Sequence, residues 1–454
     1  MNNYNAAGFF HSLYNFEVDD FTLWTGMRSD SKSVGGNYRG KHQDLDNLLG
    51  VKYYFISKKK SKFNEINTYN PNGYIANVPF DYEYLTENDE YLVYENKHFN
   101  AFGNAYSNLY SGTLNKNIRW TKETIDNEIA MTTKAVVSEE DAAEIQSKYS
   151  DIVIDNVKPY STLTYLNDTS DYGHDYYDIW SQTENHTLAK NYPFEKISTI
   201  QTDFTFGDYV RYDADGRNKA QHYYTFYTSK TAGEPLFRAG TSLYVRAPFS
   251  PSEKYNFYFM DENHNIFMFD MHDDDNTDNT CMIRGFYIKK DVYYLAVCGK
   301  YDNSFIINEY GNLNINFYKE DASAYEARRD AIKDDFITNV KYSKDRFTFT
   351  SNNETNNKFI VSRVAYDKGW KIKATDESGR TEDVKVYKGN GGFVSFVAPK
   401  GKYNYTMTYQ TPGLTLSYLV TAFSVTSFFV SMAGYHYIQE KKRKHYLDGI
   451  YREN

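Results

Sequence analysis

The densest group of metal-capable side chains is the stretch FDMHDDDNTDNT, which carries Asp270, His272, Asp273, Asp274, Asp275 and Asp278. Calcium takes six to eight oxygens from a loop able to curl around it. This stretch lacks the central glycine and terminal glutamate of an EF-hand loop, so it reads as a solvated hairpin tip. Asp213, Asp215 and Gly216 in RYDADGRN are turn formers for the same reason. Ten histidines are scattered with no HExxH and no pair at ligand spacing, which argues against zinc. G-x-S-x-G, Walker A and G-x-G-x-x-G motifs are all missing. In a chain this acidic, neighbours such as Glu139/Glu140 and Asp334/Asp335 carry no information about acid–base catalysis. No catalytic, cofactor-binding or metal-binding residue is therefore expected, and no cofactor in this chain.

Other reactive positions read as structural. Trp24, Trp120, Trp180 and Trp370 suit sugar stacking but fit better as core or interface anchors. Asn-x-Thr sequons at Asn167, Asn185, Asn353 and Asn404 are chance matches. Cys281 and Cys298 are two isolated thiols in a long chain and read as small buried hydrophobes. The net charge of −9 excludes a nucleic-acid partner, which demands a basic surface.

With 454 residues the chain has room for two or three domains. The pattern predicts an α+β protein. Residues 1–155 form a mixed α/β region, in which DLDNLL (44–49) is a short helix running through Gly50 into VKYYFIS, a buried strand. SEEDAAEIQSKY is a helix with Ser138 as N-cap and Asp141 three residues on. Residues 156–340 hold short strands at regular spacing, the pattern of an antiparallel, jelly-roll-like β-sandwich, with a trailing helix in 321–336. Residues 341–412 form a smaller β-sandwich, closed off by Pro412-Gly413.

From Leu414 to Ile438 the chain is apolar, and no Asp, Glu, Lys or Arg occurs between Lys402 and Glu440. At ~1.5 Å per residue this run crosses the ~30 Å hydrocarbon of a bilayer, so 413–438 is expected to span a membrane. Lys441, Lys442, Arg443 and Lys444 outnumber Lys400 and Lys402, which by the positive-inside rule puts the tail 439–454 in the cytoplasm and the bulk outside. Yet MNNYNAAGFFHSLYNFEVDD offers no basic region or apolar core able to export that bulk. The chain thus reads as the distal part of a longer polytopic protein.

Several stretches resemble the C-terminal half of the YfhO family of bacterial polytopic membrane proteins. NLLGVKYYFIS (47–57), YLVYENKHFNAFGNAYSNLY (91–110) and EIAMTTKAVV (128–137) follow its order. The most specific stretch is 365–414, similar to that family's Y–GW–G–NGGF–PKG–Y–PPG segment ahead of its final membrane helix. Asn100-Ala101 stands where the family tends to have Leu-Pro, and Gln410-Thr411 precedes Pro412 where two prolines are common. The resemblance implies a GT-C-like glycosyltransferase that uses a polyprenyl-phosphate-linked sugar and decorates envelope polymers such as lipoteichoic acid. Its catalytic residues lie among the first membrane helices, so none carries over. Expected partners are the lipid bilayer, a cell-envelope glycopolymer and the missing N-terminal membrane core. The competing expectation is a stand-alone membrane-anchored surface protein that binds glycans or a partner.

Overall fold

The computed structural model describes residues 9–10, 19–25, 35–36, 42–57, 75–100, 102–115, 122–159, 161–165, 172–176, 212–213, 219–229, 233–246, 254–263, 266–271, 283–302, 316–343 and 346–450. It is a mixed α+β protein. Its helices are α1 (Asp19–Trp24), α2 (Gln43–Leu49), α3 (Lys122–Thr133), α4 (Glu139–Lys148), α5 (Ala322–Ala331) and the C-terminal α6 (Leu414–Ile450).

Two antiparallel sheets occupy the middle of the chain. One is ordered Thr164–Tyr165, Asn316–Asp321, Thr241–Arg246, Ile283–Ile288. The other runs Tyr172–Tyr176, Lys219–Ser229, Tyr294–Asp302, Lys254–Met260, Ile266–Met271. They share one core: Leu243, Val245, Phe286 and Phe317 from the first meet Phe257, Phe259, Phe267 and Leu295 from the second. In a strand, alternate side chains point to opposite faces. Ser242 and Tyr244 therefore point away from that core, yet both are fully buried, because α2 and α3 cover the back of the sheet.

A second pair of sheets lies towards the C-terminus. Its outer sheet is Ile337–Ser343, Arg346–Asn353, Gly401–Tyr409, Trp370–Asp376, Thr381–Val384. The facing sheet contains Tyr387–Gly389, Phe393–Ala398 and Lys358–Ala365, and its last strand is Gly103–Tyr106, from far upstream. Phe349 and Tyr405 stack in the shared core, ring centres 4.8 Å apart. The back of the facing sheet packs on a small parallel sheet, Asn108–Ser111 between Ala135–Val137 and Val153–Asp155, whose crossovers are α3 and α4.

Local signals explain the helix ends. Ser138 caps α4 by accepting the Asp141 N–H at 3.1 Å, and Asp321 caps α5 by accepting the Ser323 N–H at 3.0 Å. α2 stops at Gly50, whose φ of +65° is the left-handed cap that favours glycine. The strand that follows, Tyr53–Ser57, is not buried as its residue types suggest: Tyr53 is 40% and Phe55 55% exposed. It forms the edge of a three-stranded sheet with Tyr91–Asn96 and Tyr82–Glu87. Aromatic and β-branched residues favour any pleated surface, covered or not.

α6 stands apart from these layers. Leu416–His445 is a 30-residue stretch of mean hydropathy 1.6 with none of its apolar window buried, long and apolar enough to cross a membrane. Leu416, Leu419, Phe423, Phe428 and Val430 are all more than half exposed. An apolar surface on every side is what lipid, not water, accommodates.

Candidate functional site

Charge is concentrated where α2, α3, α5 and the back of the first central sheet meet. Every residue of α2 from Gln43 to Leu48 is buried, including Asp44 and Asp46. Arg328 on α5 holds Asp44 with Nη2 3.0 Å from Oδ2 and Nε 3.2 Å from Oδ1. The same guanidinium reaches Glu320 through Nη1 at 2.7 Å and Nη2 at 2.9 Å, and donates to Thr162 Oγ1 at 3.0 Å. Thr132 of α3 donates to Asp44 Oδ1 at 2.6 Å. Burial by itself lowers the Arg328 pKa, but Asp44 and Glu320 reverse that and raise it. Beside this fork, His42 Nδ1 sits 3.0 Å from Glu128 Oε1, both wholly buried. Burial raises the Glu128 pKa even though His42 opposes it.

The cluster continues to the three-stranded sheet. Arg329 pairs with Asp81, and Tyr325 donates to Asp81 Oδ2 at 2.6 Å. Tyr82 donates to the Val51 carbonyl at 2.6 Å and Tyr54 to Asp46 Oδ1 at 3.3 Å. Arg328 is only 9% exposed and its carboxylate partners are buried with it, so among the described residues this constellation ties α2, α3 and α5 together.

What it positions is an open sheet face. Register places Tyr53 opposite Glu95 and Phe55 opposite Val93, with Tyr91 two residues before Val93, so these side chains share one side. Phe55 and Tyr91 meet edge to face at 6.3 Å, and Tyr91 is 38% exposed. Glu95 lies between Lys97 at 2.8 Å and Lys52 at 3.5 Å and accepts from Tyr53 Oη at 3.5 Å. The hydrogen bond from Lys97 lowers the Glu95 pKa, so its carboxylate is a hydrogen-bond acceptor at neutral pH. Flat apolar rings beside a fixed hydrogen-bonding group suit a sugar ring, which has apolar faces and a polar rim. Residue types could not single these aromatics out, because Tyr and Phe occur throughout the chain.

His272, Asp273, Asp274, Asp275, Asp278, Asp215, Gly216, Cys281, Trp120, Trp180, Asn167 and Asn185 lie outside the described residues. Asp270 is in the Ile266–Met271 strand and Asp213 in the Tyr212–Asp213 strand. Cys298 pairs in register with Tyr224. Among the described residues no three His, Cys, Asp or Glu side chains are grouped to hold a metal. Trp24 and Trp370 pack into hydrophobic clusters. Asn353 is buried, donating to the Asn356 carbonyl at 2.7 Å, while Asn404 is exposed. Asp334 accepts the N–H groups of Phe102 and Gly103 at 2.9 and 3.0 Å, and Asp335 is exposed.

The glycine motifs are equally structural. In NGGF, Asn390 accepts the Val136 N–H at 2.8 Å through Oδ1 and donates its own N–H to the Val136 carbonyl at 2.8 Å. A Cβ on Gly391 would lie 2.6 Å from the Trp24 ring. In the GW pair, a Cβ on Gly369 would strike the Gln410 carbonyl oxygen.

These motifs fall inside the segments 1–246 and 304–421, over which the chain matches the family described as Bacterial membrane protein YfhO. The chain belongs to the YfhO family. It is 27% identical over 132 residues to a protein of Bacillus subtilis (strain 168) called "Uncharacterized protein YfhO". That match covers 28% of this chain and 14% of the relative, so the chain spans a small part of the relative's length. Solved structures resemble it weakly. Arabinofuranosyltransferase AftD from mycobacteria matches at 17% identity over 29% of this chain and 9% of its own, with a TM-score of 0.15. An oxalate decarboxylase matches at 7% identity over 42% and 70%, with a TM-score of 0.11. The acidic stretch 270–278 lies between the two YfhO-matched segments.

Proposed function

We propose that this chain is the extracytoplasmic, membrane-anchored region of a YfhO-type glycosyltransferase, and that its open sheet face holds a glycopolymer acceptor such as lipoteichoic acid. The full-length protein would draw on a polyprenyl-phosphate-linked sugar, with the transfer chemistry in membrane helices outside this chain. The carrying observation is the exposed Tyr53, Phe55 and Tyr91 set around the Lys-flanked Glu95. Family membership and the apolar α6 support a membrane setting. Placing the bulk outside and the basic tail inside rests on the positive-inside rule.

The test is retention of the detergent-solubilised full chain on immobilised lipoteichoic acid. Each of Phe55→Ala and Tyr91→Ala should weaken binding about fivefold, as loss of a central aromatic contact does. Unaltered retention in both, with the fold intact by circular dichroism, would remove the acceptor role. The chain alone should transfer no sugar from a lipid-linked donor, because a binding face without the donor site cannot bring reacting atoms together. Detected transfer would place the chemistry in this chain and overturn that part of the reading.

A further inference from the structure

We propose that the end of the C-terminal sheet pair nearest α6 is itself a lipid-contacting surface. There the row Tyr342, Phe347, Trp370 and Tyr409 sits in the headgroup layer of the bilayer that α6 enters. The inference is independent of the glycan reading and of which side of the membrane the bulk occupies.

Chain geometry keeps this end of the sheet close to α6. The Gly401–Tyr409 strand delivers the chain to α6, and Gln410 is still tied to the sheet by its N–H on the Gly369 carbonyl at 3.0 Å. Only Thr411, Pro412 and Gly413 separate Gln410 from Leu414, and the Leu414 N–H turns back onto the Thr411 carbonyl at 3.1 Å. Even fully extended, such a link reaches no more than ~14 Å at ~3.5 Å per residue. The polar layer on each side of the hydrocarbon is ~5–8 Å thick. Tyr409 and its partner Trp370 are therefore tethered within ~14 Å of the start of α6, close to the membrane surface when α6 is inserted, and Tyr342 and Phe347 lie at the same end of that sheet.

The residues at that end match the layer. Register sets Tyr342 beside Phe347 and Trp370 beside Tyr409, all at the strand ends that face α6. Their rings form a continuous row, with centres 6.2 Å apart for Tyr342–Phe347, 5.9 Å for Phe347–Trp370 and 5.1 Å for Trp370–Tyr409. Tyr342 is 78% exposed, more than Phe423 on α6 at 75%. Trp and Tyr concentrate at membrane–water interfaces because their rings are apolar and their N–H or O–H is not. Lys341, Arg346, Lys368 and Lys371 are exposed around the row and fit lipid phosphates. The nearby Asp367 carboxylate accepts the Gly369 N–H at 2.7 Å.

Two measurements on the full chain decide the matter. In nanodiscs of phosphatidylcholine and phosphatidylglycerol, backbone amides of 341–343, 346–347 and 369–371 should exchange with deuterium at least threefold more slowly than in detergent. Amides of the 376–380 turn, at the opposite end of the sheet, should not change. An environment-sensitive fluorophore is also placed on Tyr342→Cys, in a background of Cys281→Ser and Cys298→Ser, with Ser378→Cys as the comparison. Shallow doxyl lipids should quench the 342 label at least twofold more than the 378 label. Equal quenching at both positions with unchanged exchange overturns the proposal. So does protection at 342 that depends on protein concentration and not on lipid, since a second copy of the chain would then cover the row.

Discussion

Arg328 and Asp44 lie 284 residues apart in sequence and meet as a buried two-pronged ion pair, Nη2 to Oδ2 at 3.0 Å and Nε to Oδ1 at 3.2 Å. The pair joins α2, from the N-terminal part of the chain, to α5, which follows the last strand of the central sheets. With Glu320 on the other side of the guanidinium, one cation serves two buried carboxylates. Removing one partner of such a pair costs ~3–5 kcal/mol, because the other charge stays buried and uncompensated. Arg328→Met should therefore lower the urea midpoint of the detergent-solubilised chain sharply. Arg328→Lys should recover only part of the loss, since an ammonium lacks the planar fork that spans both carboxylates. A midpoint unchanged in Arg328→Met would mean the network contributes nothing to holding α2 in place.

Glu128 gives a pH signature. Burial raises its folded-state pKa above the ordinary carboxylate value, with His42 acting against the shift. A raised carboxyl binds a proton in the folded state that the unfolded state has already lost. Stability from this group is thus fully present below the unfolded value and declines as pH rises through the folded one. Glu128→Gln keeps a hydrogen-bonding partner for His42 and should flatten this slope in the mildly acidic range. Unfolding free energies measured from pH 4 to 7 would show it as a smaller decline than in the parent chain.

Lys289 has the opposite sign. Burial lowers its pKa to about 8. The unfolded chain then binds more protons than the folded one between about 8 and the ordinary lysine value, so stability should rise with pH across that window. Lys289→Met should raise stability at pH 7 by on the order of 1–3 kcal/mol and remove the alkaline rise. Equal pH profiles for both chains from pH 7 to 10 would contradict this.

Whether these features could be read in the sequence depends on how local their cause is. Ser138 with Asp141, Asp321 ahead of ASAYEARRDA, and the uncharged run after Leu414 are signals within a few residues, and the structure contains each element. Asp44 and Asp46 gave no such signal. Their burial becomes visible only when Arg328 and Thr132 arrive from distant segments, with Tyr54 from the strand that follows, to surround the helix. The Gly103–Tyr106 strand likewise completes a sheet built otherwise from 358–398. On the candidate face, VKYYFIS marks a strand but not its exposure, since β-propensity is blind to what covers the surface. The glycine-rich motifs were visible, while their meaning was not: Asn390 acts as a strand partner for Val136, which only the tertiary fold reveals.

Gly50 and Arg363 allow backbone strain to be separated from crowding. Gly50 has φ +65° and Gly379 has φ +86°, so alanine at either position meets the left-handed penalty of ~1–2 kcal/mol. A Cβ on Gly379 would meet nothing within 4 Å, whereas one on Gly50 would run into the Arg363 guanidinium. That guanidinium cannot easily move. Its Nη2 donates to the Asn47 carbonyl at the end of α2 at 3.1 Å, its Nη1 to the Asn100 carbonyl, and it lies 5.4 Å from the Phe99 ring centre. Loss of hydration on burial brings its pKa down to about 10, with Asp334 acting against the shift. Gly379→Ala should thus cost only the backbone penalty, while Gly50→Ala should cost ~2 kcal/mol more, within the range for overpacking. Arg363→Ala removes the obstacle, so Gly50→Ala should be cheaper in that background. Contacting residues show such coupling energies of ~0.5–3 kcal/mol. Additive costs in the double variant would show that the helix end tolerates a side chain there and that Arg363 does not buttress it.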